Sequence, residues 1–283
     1  MNNIEMMEVP ELNDQMNDYS EPIEMRYPEE CIENAEQLSL DKVREEYPEV
    51  AKYVSGMEEQ LGSINHPGGI MSTLEFYRTD EGTLIARCNE EKTEACGHEP
   101  DFWKNTMMVM KGNDIYAYKG GTENSACANE FLNMKELMPN KVYHVDGFAN
   151  YKTDHLGRVC EVEARLSDTA NVEKPGIRPP NLRPITTHKN GLETDDGGHL
   201  IAKKLVGSYD AINIVPQDTN LNQKGVWRAM ENDCLKAVES GKDVMIHHHI
   251  EYDETNSFRP KLFHVEIMID GKMKTYEFKN NAS

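Results

Sequence analysis

The residues best suited to chemistry are a histidine, two asparagines and a glutamate in the C-terminal half of the chain. His199 ends the segment "TDDGGH", and Asn213, Asn222 and Glu231 follow it. Histidine exchanges protons near neutral pH and is the most frequent general base. Asparagine and glutamate oxygens are hard ligands of the kind that Mg²⁺ binds. The set indicates proton transfer beside a hydrated metal ion, although each residue taken alone could equally be structural.

A predicted helix at about 224–240 places Glu231 in an unusual position. At 100° per residue, one face of this helix is apolar and is formed by Trp227, Met230, Cys234, Leu235 and Val238. Glu231 falls within this face, where a carboxylate without a partner would be costly. Two interpretations stay open: a salt bridge to Arg183 or Arg259, or a carboxylate that holds the water shell of a metal ion.

The two asparagines and the aspartate before the glycines have ordinary alternatives. Asn222 lies just before the helix, where asparagine is a preferred N-cap residue, but the same side-chain oxygen would suit Mg²⁺. Asn213 could be a loop amide that satisfies backbone groups. Asp196 could form the turn before Gly197 without any part in chemistry.

Taken together, these residues resemble the DNA/RNA non-specific endonucleases of the ββα-metal (His-Me finger) superfamily. The motif of that family is Asp-Arg-Gly-His, then Asn-[Ile/Leu]-x-Pro-Gln, then Leu-Asn-x-Gly-x-Trp with a glutamate four residues after the tryptophan. The corresponding segments of this chain are "DGGH" at 196–199, "NIVPQ" at 213–217, "LNQKGVW" at 221–227 and Glu231. Order and spacing agree, and the resemblance covers roughly 141–279. The lead-in segment "VDGFANYKTDHLGRVCEVEARL" is similar to bacterial toxin-type members.

The resemblance implies hydrolysis of DNA and RNA phosphodiester bonds to 5′-phosphorylated ends. His199 would be the general base that takes a proton from the attacking water, and Asn213 would belong to the catalytic set. Asn222 would bind a single Mg²⁺ ion, for which Mn²⁺ could substitute. Glu231 would order the waters of that ion. Gly197 and Gly198 would let the chain turn sharply and approach a phosphate.

The chain departs from the family motif in two places. Gly197 stands where the motif has an arginine, and one residue within 223–225 is extra between Asn222 and the tryptophan. The loss of the arginine removes a cation that could hold a phosphate. Arg183 or Arg228 would then be the substitute phosphate-binding residue, unless both are simply solvated.

Charge is distributed unevenly along the 283 residues. The net charge is −20, of which residues 1–140 carry −18 and residues 141–283 carry −2. This asymmetry predicts two units with different roles. We expect an acidic, disordered segment at 1–35, an N-terminal α+β region at 36–139 and an endonuclease domain at 140–283. We also expect the acidic half to lower the affinity of the other half for DNA.

The predicted fold class is α+β. A ββα-metal nuclease core on a small antiparallel sheet would follow an acidic N-terminal region with a helix and short strands. The helix is expected over 39–62, kinked or split at Pro48. The residues "HHHI" at 247–250 read as a strand with His248 on one face and the other two histidines on the opposite face.

Partners and location follow mainly from the resemblance. The acidic start "MNNIEMMEVPEL" is unlike a signal peptide, and no apolar run suits a membrane span. We expect synthesis in the cytoplasm, no membrane partner, and export, if any, by a specialised secretion system. A toxin-type member implies a cognate immunity protein. The rival hypothesis is a catalytically silent interaction module whose acidic half binds proteins or mimics DNA.

Overall fold

The structure is a computed structural model, and part of the chain lies outside the residues that it describes. The described residues are 32–57, 59, 74–88, 106–118, 129–145, 147–166, 191–205, 207–208, 210–253 and 256–281. Most of the segment expected to be disordered, 1–35, and the candidate phosphate ligand Arg183 therefore lie outside them.

Two helices and five strands form the described part of the N-terminal region. The predicted helix is split before Pro48 into α1 (Leu40–Glu46) and α2 (Pro48–Met57), as expected. The strands are β1 (Glu36–Leu38), β2 (Leu74–Arg78), β3 (Leu84–Cys88), β4 (Met107–Lys111) and β5 (Asp114–Tyr118). Buried and half-buried residues alternate along β5, whereas β2, β3 and β4 each bury consecutive residues. A second, smaller apolar cluster of Tyr77, Ile85 and Met107 adds to the main core.

The C-terminal half contributes eight strands and one long helix within the described residues. The strands are β6 (Val142–Val145), β7 (Ala149–Thr153), β8 (Val159–Arg165), β9 (Asp195–His199), β10 (Ile214–Asp218), β11 (Val244–Tyr252), β12 (Pro260–Ile269) and β13 (Lys272–Lys279). Helix α3 spans Val226–Glu239, close to the predicted 224–240. Asp270 and Gly271 both have positive φ and turn β12 into β13, the conformation that an Asp-Gly pair favours in a tight hairpin.

Eleven of these strands form one sheet, in the order β1 to β8 followed by β11, β12 and β13. Each neighbouring pair is antiparallel except β5 and β6, which are parallel. Strands β9 and β10 form a separate antiparallel pair. The α+β class is confirmed, but the sheet is far larger than expected, because it continues through the boundary placed at 139/140.

The two halves of the chain share contacts as well as a sheet. The backbone N–H of Val142 donates to the carbonyl of Asn113 at 2.9 Å. The His144 ring bonds Asp114 at 2.8 Å and stacks on Tyr116 with the ring centroids 4.5 Å apart. One hydrophobic core contains buried residues from both halves. A chain cut at residue 141 would lose the partner strand of β6, so truncation would change the fold together with the charge.

His248 lies on the buried face of β11, as the strand pattern predicts, whereas His249 is exposed. Burial lowers the pKa of His248 to about 3, because the charged ring would lose its hydration. No helix among the described residues is long and apolar enough to cross a membrane.

Candidate active site

The ββα element consists of β9, β10 and α3, and it holds the residues singled out from the sequence. His199 is the last residue of β9, lies opposite Ile214 in the ladder and is half-buried. Its Nε2 atom is shielded from solvent. The next residue, Leu200, donates its N–H to the carbonyl of Asn213 at 2.9 Å. The histidine is therefore held at a fixed strand end, where the sequence predicts it.

Gly198 serves close packing, and neither glycine before His199 makes a sharp turn, which corrects the expectation. Both lie in the extended strand β9, and neither has a positive φ. A Cβ on Gly198 would lie 2.2 Å from Oε1 and 2.7 Å from Cβ of Gln217. Only glycine leaves room for this buried glutamine side chain, which lies on the neighbouring strand β10.

Asp196 links the strand of His199 to the segment of Asn222. Its Oδ2 atom accepts hydrogen bonds from Nε2 of Gln223 at 2.6 Å and from Nδ2 of Asn222 at 3.4 Å. Asp196 does more than form a turn, because it orients the amide of Asn222. The two hydrogen bonds connect Asp196 with residues that lie 26 and 27 positions later in the chain.

Asn222 lies in a π-helical turn, Asn220–Lys224, and is not the N-cap of α3. The N-cap is Gly225, and no side chain caps the helix there. A π turn closes over one residue more than an α turn. It therefore accommodates the residue that is extra relative to the family motif. The N-cap alternative for Asn222 is wrong for this reason.

The donor set at Asn222 suits Mg²⁺. The hydrogen bond from Nδ2 to Asp196 leaves the carbonyl oxygen Oδ1 as the atom available to a cation. Within the described parts of the chain there is no group of three or more histidine, cysteine, aspartate or glutamate residues that could hold a metal. Mg²⁺ usually keeps several waters and takes few protein oxygens. An ion bound here by Asn222 would complete its shell with water and phosphate oxygens.

Glu231 lies on the apolar face of α3, as predicted, and bonds Trp227. Nε1 of Trp227 donates to Oε1 of Glu231 at 3.0 Å. Trp227 is itself buried, with its ring edge-on to Phe263 and Phe278. Burial raises the pKa of Glu231, although the Trp227 hydrogen bond and the charges of Lys204 and Arg228 act in the opposite direction. The carboxylate is thus held in a rigid, partly apolar place.

The salt bridge considered between Glu231 and Arg259 is absent. Arg259 instead forms a two-pronged ion pair with Asp195, with Nε to Oδ2 at 2.7 Å and Nη2 to Oδ1 at 2.8 Å. The other arginine considered, Arg183, lies outside the described residues. The Asp195–Arg259 pair fixes the start of β9 to the segment before β12.

Replacing Glu231 with glutamine is expected to leave the protein at least as stable at neutral pH while lowering activity. Glutamine keeps an oxygen acceptor for Trp227 but removes a charge whose burial raises the pKa of the carboxyl. A raised folded-state pKa means that ionisation costs stability above that pKa, and that this cost disappears as pH falls through it. Thermal melts at several pH values test this: the advantage of the variant should shrink at lower pH. A variant markedly less stable at neutral pH would contradict it.

Asn213 is fully buried, and its amide is used entirely by the fold. Oδ1 accepts from Tyr151 Oη at 3.0 Å and from the N–H of Ile201 at 2.8 Å. Nδ2 donates to the carbonyls of Ile201 at 2.9 Å and Ser208 at 2.8 Å. This geometry favours the loop-amide interpretation over direct contact with substrate. Asn213 holds the loop that leaves His199.

Two cationic side chains lie near Glu231. Arg228 is exposed, and its Nη1 approaches the carbonyl of Gln223 at 3.4 Å. Lys204 is exposed on the short 3₁₀ turn Lys203–Leu205 and acts on the charge of Glu231. The sequence offers Arg228 as one of two candidate phosphate ligands. Lys204 is not among its candidates, although it follows His199 by only five residues.

The ββα element carries a histidine at the end of β9, an asparagine in the turn before α3 and a glutamate on α3, in the same order as the nuclease motif. Residues 139–271 match the DNA/RNA non-specific endonuclease family. This part of the chain is therefore a DNA/RNA non-specific endonuclease domain, as the motif resemblance implies.

Similar proteins include a secretion-system protein and a nuclease. The chain is 36% identical over 146 residues to the type VII secretion system protein EssD of Staphylococcus aureus (strain USA300), and the match covers 50% of this chain but 23% of EssD. The structure of NucA from Streptococcus agalactiae with a magnesium ion bound is 19% identical, with a TM-score of 0.38, covering 48% of this chain and 71% of NucA. The metal-free NucA structure is 20% identical, with a TM-score of 0.36, covering 56% and 76%.

Proposed function

We propose that the protein is a Mg²⁺-dependent endonuclease that hydrolyses phosphodiester bonds in both DNA and RNA. The observation that supports this most is the bond network around Asp196. It joins the strand that ends in His199 to the turn that holds Asn222, immediately before the helix with Glu231. A general base and a metal ligand are thus carried by elements fixed to each other.

His199 has the role of general base. A neutral imidazole would accept the proton of a water molecule as the water oxygen attacks phosphorus, and the bond from phosphorus to the 3′ oxygen would break. The β9–β10 pairing fixes the backbone from which the ring projects, which favours reaction because less reorganisation is needed. A Mg²⁺ ion held by Asn222 would supply charge stabilisation to the phosphate and the leaving oxygen.

Glu231 would act on water and not on phosphorus. Its Oε1 atom accepts from Trp227, so the other carboxylate oxygen is oriented by the same contact. An oriented carboxylate in a partly apolar place can order waters that lie between it and Asn222. Its raised pKa reflects burial, and the nearby Lys204 and Arg228 charges favour its ionised form.

Cations near the site would replace the missing motif arginine. Arg228 and Lys204 are both exposed, and the charge of each favours the ionised form of Glu231, which makes both candidates for binding a phosphate near the site. Arg183 remains a candidate from the sequence alone. Guanidinium groups bind phosphate oxygens with two parallel hydrogen bonds, which makes Arg228 the stronger of the two described candidates.

Cleavage of nucleic acid by the purified full chain tests the function directly. Supercoiled plasmid and a single-stranded RNA should both be cut in Mg²⁺, with 5′-phosphate ends, and neither should be cut in EDTA. Mn²⁺ should restore cleavage after EDTA is removed. Binding without cleavage in either metal would contradict the proposal and favour the silent interaction module.

The proposal extends to a secreted bacterial toxin with a cognate immunity protein. The likeness to EssD, a type VII secretion system protein, supports it. The EssD match covers about a quarter of EssD and half of this chain, so what holds for the whole of EssD is only proposed for this chain. Growth arrest on expression of the wild-type chain, but not of a His199→Ala variant, would support the toxin role. Unimpaired growth with an active nuclease inside the cell would contradict it.

A further inference from the structure

A buried carboxylate connects the N-terminal region to the loop that follows His199. Asp210 is 2% exposed, and its Oδ1 atom accepts from the backbone N–H of Asn129 at 3.0 Å and from Nδ2 of Asn133 at 2.9 Å. Its Oδ2 atom accepts from Ser208 Oγ at 2.6 Å. We call Asn129, Asn133, Ser208 and Asp210 the Asp210 clamp. Asn129 and Asn133 precede the family match, which begins at residue 139.

Asn133 uses both ends of its amide within this clamp. Nδ2 donates to Asp210 and also to the carbonyl of Asn129 at 3.2 Å. Oδ1 accepts from the N–H of Ala211 at 2.9 Å. The Asn133 side chain therefore bonds both the carboxylate of Asp210 and the backbone N–H of the next residue, Ala211. Asn129 is anchored in turn, because its Nδ2 donates to the carbonyl of Tyr118, at the end of β5, at 3.0 Å.

The clamp is connected to His199 by a short series of hydrogen bonds. The N–H of Asn213 donates to the carbonyl of Asp210 at 3.0 Å and closes the 3₁₀ turn Ala211–Asn213. The Asn213 side chain then bonds both the N–H and the carbonyl of Ile201. Ile201 lies two residues after His199. A shift of Asp210 would therefore be transmitted to the strand end that carries the histidine.

The way in which the clamp holds its carboxylate distinguishes it from ordinary packing. Asp210 accepts from a side-chain amide, a hydroxyl and a backbone N–H, and a buried carboxylate is stable only when such donors are placed accurately. Partners of this kind fix one position of a loop, whereas apolar contacts tolerate small displacements. A displacement of about 1 Å in a catalytic group can cost roughly 10²-fold in rate.

We infer that Asn133 is a positioning residue for His199, acting through Asp210, so that the N-terminal region completes the nuclease site. This inference rests on the proposed endonuclease function. It assigns the N-terminal region a role in catalysis that the acidic composition does not suggest.

The test uses the full chain with Asn133→Ala and, as a matched control, Asn113→Ala. Asn113 is an exposed asparagine in the turn between β4 and β5. Asn133→Ala should lower kcat by about 10-fold with KM unchanged, as is typical when a group that orients a catalytic residue is lost. Asn113→Ala should leave both constants unchanged. Rates are measured well below the unfolding midpoint of each variant.

A double variant separates positioning from general loss of structure. In a His199→Ala background, Asn133→Ala should not lower the residual cleavage further, because the histidine that it positions is gone. An equal loss in both backgrounds would overturn the inference. A wild-type kcat for Asn133→Ala would also overturn the inference. If His199→Ala is inactive in the same assay, the proposed function would still stand. If His199→Ala is itself fully active, the proposed function fails instead.

Ser208→Ala gives a second variant if Asn133→Ala does not fold. It removes one hydrogen bond to Oδ2 of Asp210 and keeps both contacts of Asn133. A smaller fall in kcat at unchanged KM would support the inference. An unchanged kcat in the folded Ser208→Ala protein would overturn it.

Discussion

Replacing His199 with alanine is expected to lower turnover by roughly 10²–10⁴-fold, the usual contribution of a general base. The ring lies at the end of β9 and is only half-buried. Its loss should leave the backbone bonds of the β9–β10 pair intact, because these involve main-chain atoms. The fold should therefore survive, and KM should change little. Initial rates of plasmid nicking at saturating substrate, together with a thermal melt, measure both quantities.

His249→Ala is the matched control for this variant. His249 is also a strand histidine, but it is exposed on β11, where it lies beside His264 with ring centroids 6.1 Å apart. Its removal should leave turnover unchanged. Cleavage at the wild-type rate by His199→Ala would remove His199 from the mechanism. A loss of activity in both variants would point to damage to the sheet in place of the loss of a base.

The local elements of this fold follow closely from the sequence. Helix α3, the break at Pro48 and the β12–β13 turn at Asp270-Gly271 lie where pattern and turn chemistry predict them. Each depends on residues only a few positions apart, so local propensity and periodicity are sufficient. Helical periodicity likewise places Glu231 on the apolar face of α3.

The long-range contacts could not be predicted in the same way. The parallel pairing of β5 with β6 joins strands separated by 23 residues, 119–141. Asn133 meets Asp210 from 77 positions away. Arg259 could have met either Asp195 or Glu231, since charge alone does not choose between two carboxylates. Such pairings are decided by packing of the whole chain, which periodicity does not encode.

The π turn explains why the sequence alone could not decide whether Asn222 caps the helix. The sequence shows one extra residue between Asn222 and Trp227 but does not show which backbone form absorbs it. The structure places it in the turn Asn220–Lys224, which leaves Gly225 as the helix N-cap. Asn222 is therefore not the residue that caps α3. A residue that neither caps a helix nor is buried keeps its side-chain oxygen for other partners.

Asn222→Ala should consequently cost activity and very little stability. The side chain makes one long hydrogen bond, 3.4 Å to Asp196, and a good neutral hydrogen bond contributes only about 1 kcal/mol net. If Asn222 holds the metal as proposed, its loss should lower cleavage by roughly 10²-fold or more, because Lewis-acid stabilisation is worth several kcal/mol. The remaining activity should need more Mg²⁺.

Asn220→Ala is the control for this change, because Asn220 is an exposed asparagine in the same π turn. Nicking rates across a Mg²⁺ titration, and the shift of the melting temperature that Mg²⁺ produces, should both change in Asn222→Ala and stay wild-type in Asn220→Ala. The melting readout does not depend on activity, so it reports metal binding even in an inactive variant. If Asn222→Ala kept the wild-type Mg²⁺ dependence in both measurements, Asn222 would not be the metal ligand. The hydrogen bond between Asp196 of β9 and Asn222 would then have a structural role only.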